Sequence, residues 1–351
     1  MLGSARTQPL ISVIEDLHWA DPSTLELIQL LVEQGGTAPL LLLYTARPEF
    51  HPPWPLRAHH AQLALNRLSA RNVRTMVGEI AARKALSDET IATVVERTGG
   101  VPLFIEELTR AVLESGDNKL IGHTIPVTLH DSLMARLDRL GPAKEVIQIG
   151  AVLGSDFSYD LLQAVCPMPE ADLQRSLVSL IDAELLYVHG IAPEASYQFK
   201  HALIRDVAYE ALLKSRRKEL HFLVARKIDE KFQVINEAHP EVLARHWTEA
   251  GETEQAMLEW SRAGKAAESR NAFIEAHKSL QYALALLYLL PESPERDSRE
   301  LELRESLVEM LYFTRGWAAP ETVEAAARIG LLAERSGNLA RLAGSLGSVL
   351  I

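Results

Sequence analysis

The sequence predicts a small α/β unit at the amino end, followed by a chain that is helical almost throughout. Two short apolar runs, residues 10–14 and 39–45, lack helical period and bracket one amphipathic segment. That gives strand, helix and strand within about 36 residues. Beyond a Pro-rich loop at residues 51–55, apolar side chains recur at helical spacing nearly to the last residue. Composition agrees. Of 351 residues, 47% are apolar but only 6% aromatic, and Leu, Ala and Glu, all good helix formers, prevail.

The first run, Leu10-Ile11-Ser12-Val13-Ile14, is apolar and partly β-branched, and it reads as a strand buried on both faces. Asp21-Pro22 supplies an N-cap and a proline at the first helical position. Leu25, Ile28, Leu31 and Val32 draw one apolar stripe, and Gly35-Gly36 ends that helix. The second run is a buried strand too, parallel to the first because a helix crosses between them. Two strands are too few for a stable sheet, so further strands are expected upstream of Met1, or the domain is incomplete.

Residues 70–83, 88–97 and 102–115 are helices parted by Ser87 and by Gly99-Gly100. Residues 128–165 hold three more, and a helix over 170–184 leads into two short strands, 185–188 and 196–199. Three helices and a β-hairpin outline a winged helix. After Lys200 one helix follows another, and an internal repeat emerges. Gly251-x-x-Glu254-Gln255-Ala256 with Trp260 and Ala263 recurs loosely as Asn271-x-x-Ile274-Glu275-Ala276 with Leu280 and Ala283, and Pro291 follows. Small alanines let helices approach closely, the logic of tetratricopeptide-like solenoids. The offset is 20 residues, not the roughly 34 of a tetratricopeptide, so the segment is a helical repeat of that kind and not a regular array. It stops at Ile351 without a polar cap, as an incomplete solenoid would.

Bulk properties exclude several classes. The length allows two or three domains. A net charge of −11 offers no attraction to nucleic acid or anionic lipid. Within residues 125–200, five Lys/Arg face ten Asp/Glu, which argues against a DNA-binding winged helix, because phosphate contacts drive such affinity. Cys166 is the only cysteine, so no intrachain disulfide exists and a cytoplasmic location is expected. No apolar run approaches the ~20 residues that span a bilayer, and no signal peptide precedes the first strand.

Several residues could carry chemistry. Glu15 and Asp16 directly follow the first strand. Ligands of parallel sheets bind at strand carboxyl ends, where a carboxylate can hold Mg²⁺ through water or orient an attacking water. An acidic turn is the alternative. Arg47 follows the second strand, where a guanidinium can reach a phosphate; pairing with Glu49 is the plainer reading. Gly99-Gly100-Val101-Pro102 ends one helix and opens the next. His201 opens a helix after the hairpin, as a cap or a packed core group unless it meets a ligand. Phe104, Glu106 and Glu107 read as core and surface. Lys214-Ser215-Arg216-Arg217-Lys218 reads as a solvated helix face beside acids such as Glu219. His51, His59 and His60 lack metal-site spacing and read as surface.

The string Glu15-Asp16-Leu17-His18-Trp19-Ala20-Asp21-Pro22-Ser23 resembles the Walker B region of STAND proteins, signal-transduction ATPases related to AAA+ proteins. In particular it resembles the versions found behind bacterial class III adenylate and guanylate cyclase domains and in large ATP-dependent transcriptional activators. The resemblance implies a P-loop NTPase α/β remnant at residues 1–66, a helical lid at 67–120, a winged-helix-like domain at 121–200 and a tetratricopeptide-like repeat at 201–351. It implies ATP or ADP with Mg²⁺ as cofactor. Glu15 and Asp16 would stand near the metal and the attacking water, and Arg47 would sense the γ-phosphate. Gly100 and Pro102 match the lid's GxP motif, whose proline packs on adenine, and His201 would face the β-phosphate. A cyclase or other effector domain would belong to complete relatives, and the repeat would receive protein partners.

A Walker A loop, G-x-x-x-x-G-K-[ST], does not occur. The one Gly-Lys pair, Gly264-Lys265, lacks the earlier glycine and is followed by Ala266. The sequence therefore predicts an ATP-binding regulatory protein of STAND type with weak or absent hydrolysis. The alternative is a protein-interaction module of winged helix and helical repeat with no nucleotide function.

Overall fold

The computed structural model describes residues 2–81, 86–114 and 128–335. The chain divides into two compact units, one of residues 1–62 with 234–351 and the other of residues 63–233. The expected helix ends at 83 and 115, the boundary at 120/121 and the chain's last turn lie outside the described residues.

The first unit opens with α1 (Leu2–Thr7), β1 (Leu10–Ile14), α2 (Pro22–Gln34) and β2 (Leu40–Tyr44). The strands pair in parallel, from Leu10 opposite Leu40 to Ile14 opposite Tyr44. The Asp21 carboxylate accepts the Thr24 backbone N–H at 2.8 Å, the N-cap the sequence predicts. Ile28 and Val32 of α2 pack with Leu17, Trp54 and half-buried Leu42 and Tyr44.

Burial on both faces, however, is not found. Ile11, Val13, Leu41 and Leu43 are 51–66% exposed. A parallel pair hides its second face only beneath a second layer of helix, and the one crossover here, α2, covers a single side.

The second unit begins with α3 (Ala70–Ala81), α4 (Asp88–Thr98) and α5 (Pro102–Glu114), packed around Val73, Val77, Val94, Ile105 and Leu108. Next come α6 (Leu129–Asp138), α7 (Ala143–Leu153), β3 (Asp156–Ser158), α8 (Tyr159–Val165), α9 (Glu170–Asp182), β4 (Leu186–His189) and β5 (Ser196–Phe199). The strands form an antiparallel sheet in the order β3-β5-β4. The hairpin is as the sequence predicts. β3 is new, too short to show a period-2 pattern. Its Phe157 ring sits on α7, where a Cβ on Gly150 would come within 2.8 Å of it. Then α10 (Ala202–Glu210) and α11 (Lys214–Lys231) close the unit. On α11, Arg216 pairs with Glu219 at 2.8 Å and with Glu145 at 3.3 Å.

The first unit resumes with α12 (Gln233–Ala238), α13 (Pro240–Ala250), α14 (Thr253–Ser269), α15 (Phe273–Leu287), α16 (Pro294–Arg315) and α17 (Pro320–Arg335). From α13 onward each helix packs on the next. The internal repeat now has a physical cause. Gly251 and Asn271 both take the left-handed conformation, with φ of 84° and 60°. Behind each, two backbone bonds close the same helix-ending motif: Gly251 to Thr248 and Glu252 to Trp247, then Asn271 to Glu268 and Ala272 to Ala267. The repeat unit is thus one helix and its cap. Its small residues are Ala256, Ala263, Ala276 and Ala283, all buried between neighbours.

Candidate functional site

At the carboxyl end of β1 and β2 the chain locks across the two strands. Thr45 donates its N–H to the Ile14 carbonyl at 3.1 Å, and its own carbonyl accepts the Leu17 N–H at 2.8 Å. The Asp16 N–H donates to Thr45 Oγ1 at 2.9 Å. Asp16 itself is left-handed, at φ 54°, a conformation a short polar side chain tolerates. Glu15 and Asp16 are exposed. Residues 17–19 form one 3₁₀ turn, and Trp19 stands 72% exposed.

The Arg47 guanidinium lies over that indole, 5.5 Å from the ring centroid. The pairing of Arg47 with Glu49 is not formed. Among the described residues, no hydrogen bond or ion pair engages the side chains of Glu15, Asp16 or Arg47. His18 sits beside Trp19 with ring centroids 5.3 Å apart, and its ring nitrogens are buried without a partner. Two free carboxylates and a free guanidinium at one end of a parallel sheet suit a hydrated divalent cation and a phosphate. Trp19 was not singled out from sequence; its place within the acidic string, four residues from Glu15, was the available signal.

The same string runs directly into α2, and there it meets the repeat. Ser23 donates its N–H to Glu275 Oε1 and its hydroxyl to Oε2, both at 2.8 Å. Glu275, on α15, thus covers two donors at the start of α2, where the helix dipole favours an anion. Burial pushes the Asp21 carboxyl up, but its bonds from Thr24 outweigh this and hold it below its ordinary value.

In the second unit, Gly100 has φ +78°, and a Cβ there would lie 2.3 Å from the Leu68 carbonyl oxygen. The Leu68 N–H donates to the Gly100 carbonyl at 2.8 Å. Close backbone approach therefore requires this glycine, and Pro102 occupies the first position of α5. His201 precedes α10, and its side chain makes no cap bond. Its Nε2 is buried without a partner. Burial and then Lys200 lower its pKa, while Glu106 and Glu107 oppose them, so the imidazole is neutral at pH 7.

Around His201 lies a network that sequence spacing does not reveal. Lys200 reaches Glu106 and Glu184, each at 2.8 Å, and Arg110 reaches the same two at 3.2 and 2.7 Å. Burial raises the Glu106 carboxyl, but Lys200 and Arg110 bring it below its ordinary value. Glu107 is buried rather than a surface group, and pairs with buried Arg136. Phe104 is core.

Gly264 is no phosphate loop. It lies buried inside α14, where a Cβ would come within 2.9 Å of Leu280 on α15, so it serves close helix packing. Cys166 is buried. His51 Nδ1 lies 2.8 Å from the Glu49 carbonyl and His60 Nδ1 accepts the Arg57 N–H at 3.1 Å; among the described residues no group of three or more His, Cys, Asp or Glu is placed to hold an ion. No described helix is long and apolar enough to cross a membrane.

No family model matches the chain. It is 30% identical over 320 residues to an uncharacterized protein of Rhizobium meliloti (strain 1021), an alignment covering 89% of this chain and 31% of that protein. The chain therefore spans about a third of that relative's length. Among solved structures it is similar to the Signal Transduction ATPase with Numerous Domains (STAND) protein with a tetratricopeptide repeat sensor from Pyrococcus horikoshii. The TM-score is 0.46 at 12% identity, over 99% of this chain and 59% of the other.

Proposed function

We propose that this chain is an ATP-linked regulatory segment of STAND type, in which a nucleotide-sensing turn is wired to a helical repeat. The observation that carries the reading is the unpaired set of Glu15, Asp16 and Arg47 at the carboxyl end of β1 and β2. A bound Mg²⁺ nucleotide would supply the phosphates and the cation. Glu15 would hold a water of the cation, Asp16 would orient the attacking water, and Arg47 would contact the γ-phosphate.

The 351 residues contain no P-loop string, so the phosphates lack the backbone cradle and lysine that supply most of their grip. Hydrolysis by this chain is accordingly weak or absent, and binding is its role. Wiring to the repeat rests on Ser23, the last residue of the acidic string, whose two donors Glu275 receives. A shift of the turn at residues 16–19 displaces the start of α2 and hence α15, where protein partners of the repeat would read it.

Calorimetric titration of the chain with ATP and ADP in Mg²⁺, beside Arg47→Ala and Asp16→Ala, tests the reading. Saturable binding weakened about tenfold or more by either change, roughly 1.4 kcal/mol, is the expected result. No heat at millimolar nucleotide refutes it and leaves the interaction-module alternative, in which both variants keep partner binding intact.

A further inference from the structure

Within the helical repeat, α15, α16 and α17 line a groove of about 600 Å³, within the usual size of a small-ligand site. Its two ends differ. At one, Arg304 and Arg328 face the groove, but both are already engaged. Buried Glu300 accepts the Tyr288 hydroxyl at 2.7 Å, Arg304 Nε at 2.8 Å and Arg328 Nε at 3.0 Å. Asp297 acts on Arg328 as well. Two carboxylates therefore balance two guanidiniums, and this end carries no net charge to attract a ligand.

The other end lies where α16 finishes and α17 begins. Arg315, the last residue of α16, lines it with Glu321 and Glu324 of the first turns of α17 and His277 near the start of α15. Among the described residues, no hydrogen bond or ion pair engages the side chains of Arg315, Glu321 or Glu324. Burial and then Arg315 hold the His277 imidazole below its ordinary pKa, so it is neutral at pH 7 and adds no charge. A guanidinium and two carboxylates thus share one end of a groove without pairing. That leaves a fork of N–H donors and two acidic acceptors for other partners. Leu311 and Leu307 follow Arg315 at steps of four residues on the same face of α16 and line the groove beside it. The steps are about 6 Å each, and the wall they make is aliphatic.

A simple anion would answer Arg315 but meet two acids. A simple amine would answer the acids but meet the guanidinium. A zwitterion with an aliphatic body answers all of them. We propose that this end of the groove binds a free α-amino acid with an aliphatic side chain. Its carboxylate lies on the Arg315 fork, its ammonium on Glu321 and Glu324, and its side chain along Leu311 and Leu307. Neutral His277 supplies a hydrogen-bonding ring that repels neither charge. The site lies wholly in the repeat, and its test does not depend on nucleotide.

The experiment is calorimetry on the full chain without nucleotide, with L-leucine as the probe. Isocaproate lacks its ammonium, isoamylamine lacks its carboxylate, and N-acetyl-leucine amide keeps the side chain but neither charge. Saturable binding of leucine, about tenfold or more tighter than any of these three, is expected. Arg315→Met, and Glu321→Gln combined with Glu324→Gln, each weaken leucine about tenfold or more. All three positions are exposed, so circular dichroism and melting temperature stay unchanged. Glu334→Gln, exposed on α17 and outside the groove, leaves binding intact. No saturable heat at millimolar leucine overturns the proposal, as does leucine binding that Arg315→Met leaves unchanged. Isocaproate or isoamylamine binding as tightly as leucine overturns it too. Equal binding of the blocked amide does the same, and assigns the groove to a polypeptide segment instead.

Discussion

Glu300 allows the repeat's energetics to be worked quantitatively. Glu300→Gln keeps the side chain's shape and removes its charge. Burial pushes this carboxyl up, but the bonds from Arg328, Tyr288 and Arg304 reverse that and bring its pKa from 4.5 to about 2 in the folded chain. At about 1.4 kcal/mol per unit, that difference is worth about 3 kcal/mol. The Arg328 side chain is 37% exposed, and solvent screening trims the figure to about 2–3 kcal/mol. The folded pKa is the depressed one, so the contribution is fully present above pH 4.5 and fades as pH falls from there toward 2.

Urea unfolding of wild type and Glu300→Gln, followed by circular dichroism at 222 nm, reads this directly. A gap of about 2–3 kcal/mol is expected at pH 7 and pH 5, narrowing steadily below pH 4.5. A gap under about 0.5 kcal/mol at pH 7, the size of an ordinary surface change, would refute the reasoning. So would a gap that stays constant as the carboxylate is protonated.

Gly100→Ala places a Cβ against the Leu68 carbonyl in a left-handed residue, and a loss of about 3 kcal/mol is expected by thermal melting. Gly141→Ala is its control, since φ there is +58° with no atom within 4 Å, and should lose only about 1 kcal/mol; equal losses would exclude the clash as the cause. Glu275→Ala removes both acceptors of Ser23 and should lower stability by about 1–2 kcal/mol. Faster hydrogen exchange in the first turn of α2 is the readout, and unchanged protection there would show that α2 and α15 are not coupled.

The local elements were legible because their causes are local. Asp21-Pro22 caps α2, Ser87 caps α4 with its hydroxyl 3.1 Å from the Thr90 N–H, and the alanine repeat marks α14 and α15. Gly251 and Asn271 end helices through bonds among near neighbours in sequence. Even the candidate site's first half was readable, since Glu15 and Asp16 follow their strand directly.

What the sequence could not decide depends on residues far apart in the chain. Apolar Ile11 and Val13 have the composition of buried strand residues, yet only the arrangement of layers leaves their face uncovered. Arg47 chose the Trp19 ring over nearby Glu49. Glu106 and Glu107, adjacent in sequence, found Lys200 and Arg136 by tertiary folding, and Glu275 reached Ser23 across some 250 residues. By itself, then, the sequence determined most helices, their caps, four of the five described strands and the acidic turn, all set by interactions within a few residues along one backbone. The long-range partners of charges such as Glu107 and Glu275 and the covering of each apolar face were decided by the tertiary structure, because such pairing and burial depend on distance in space.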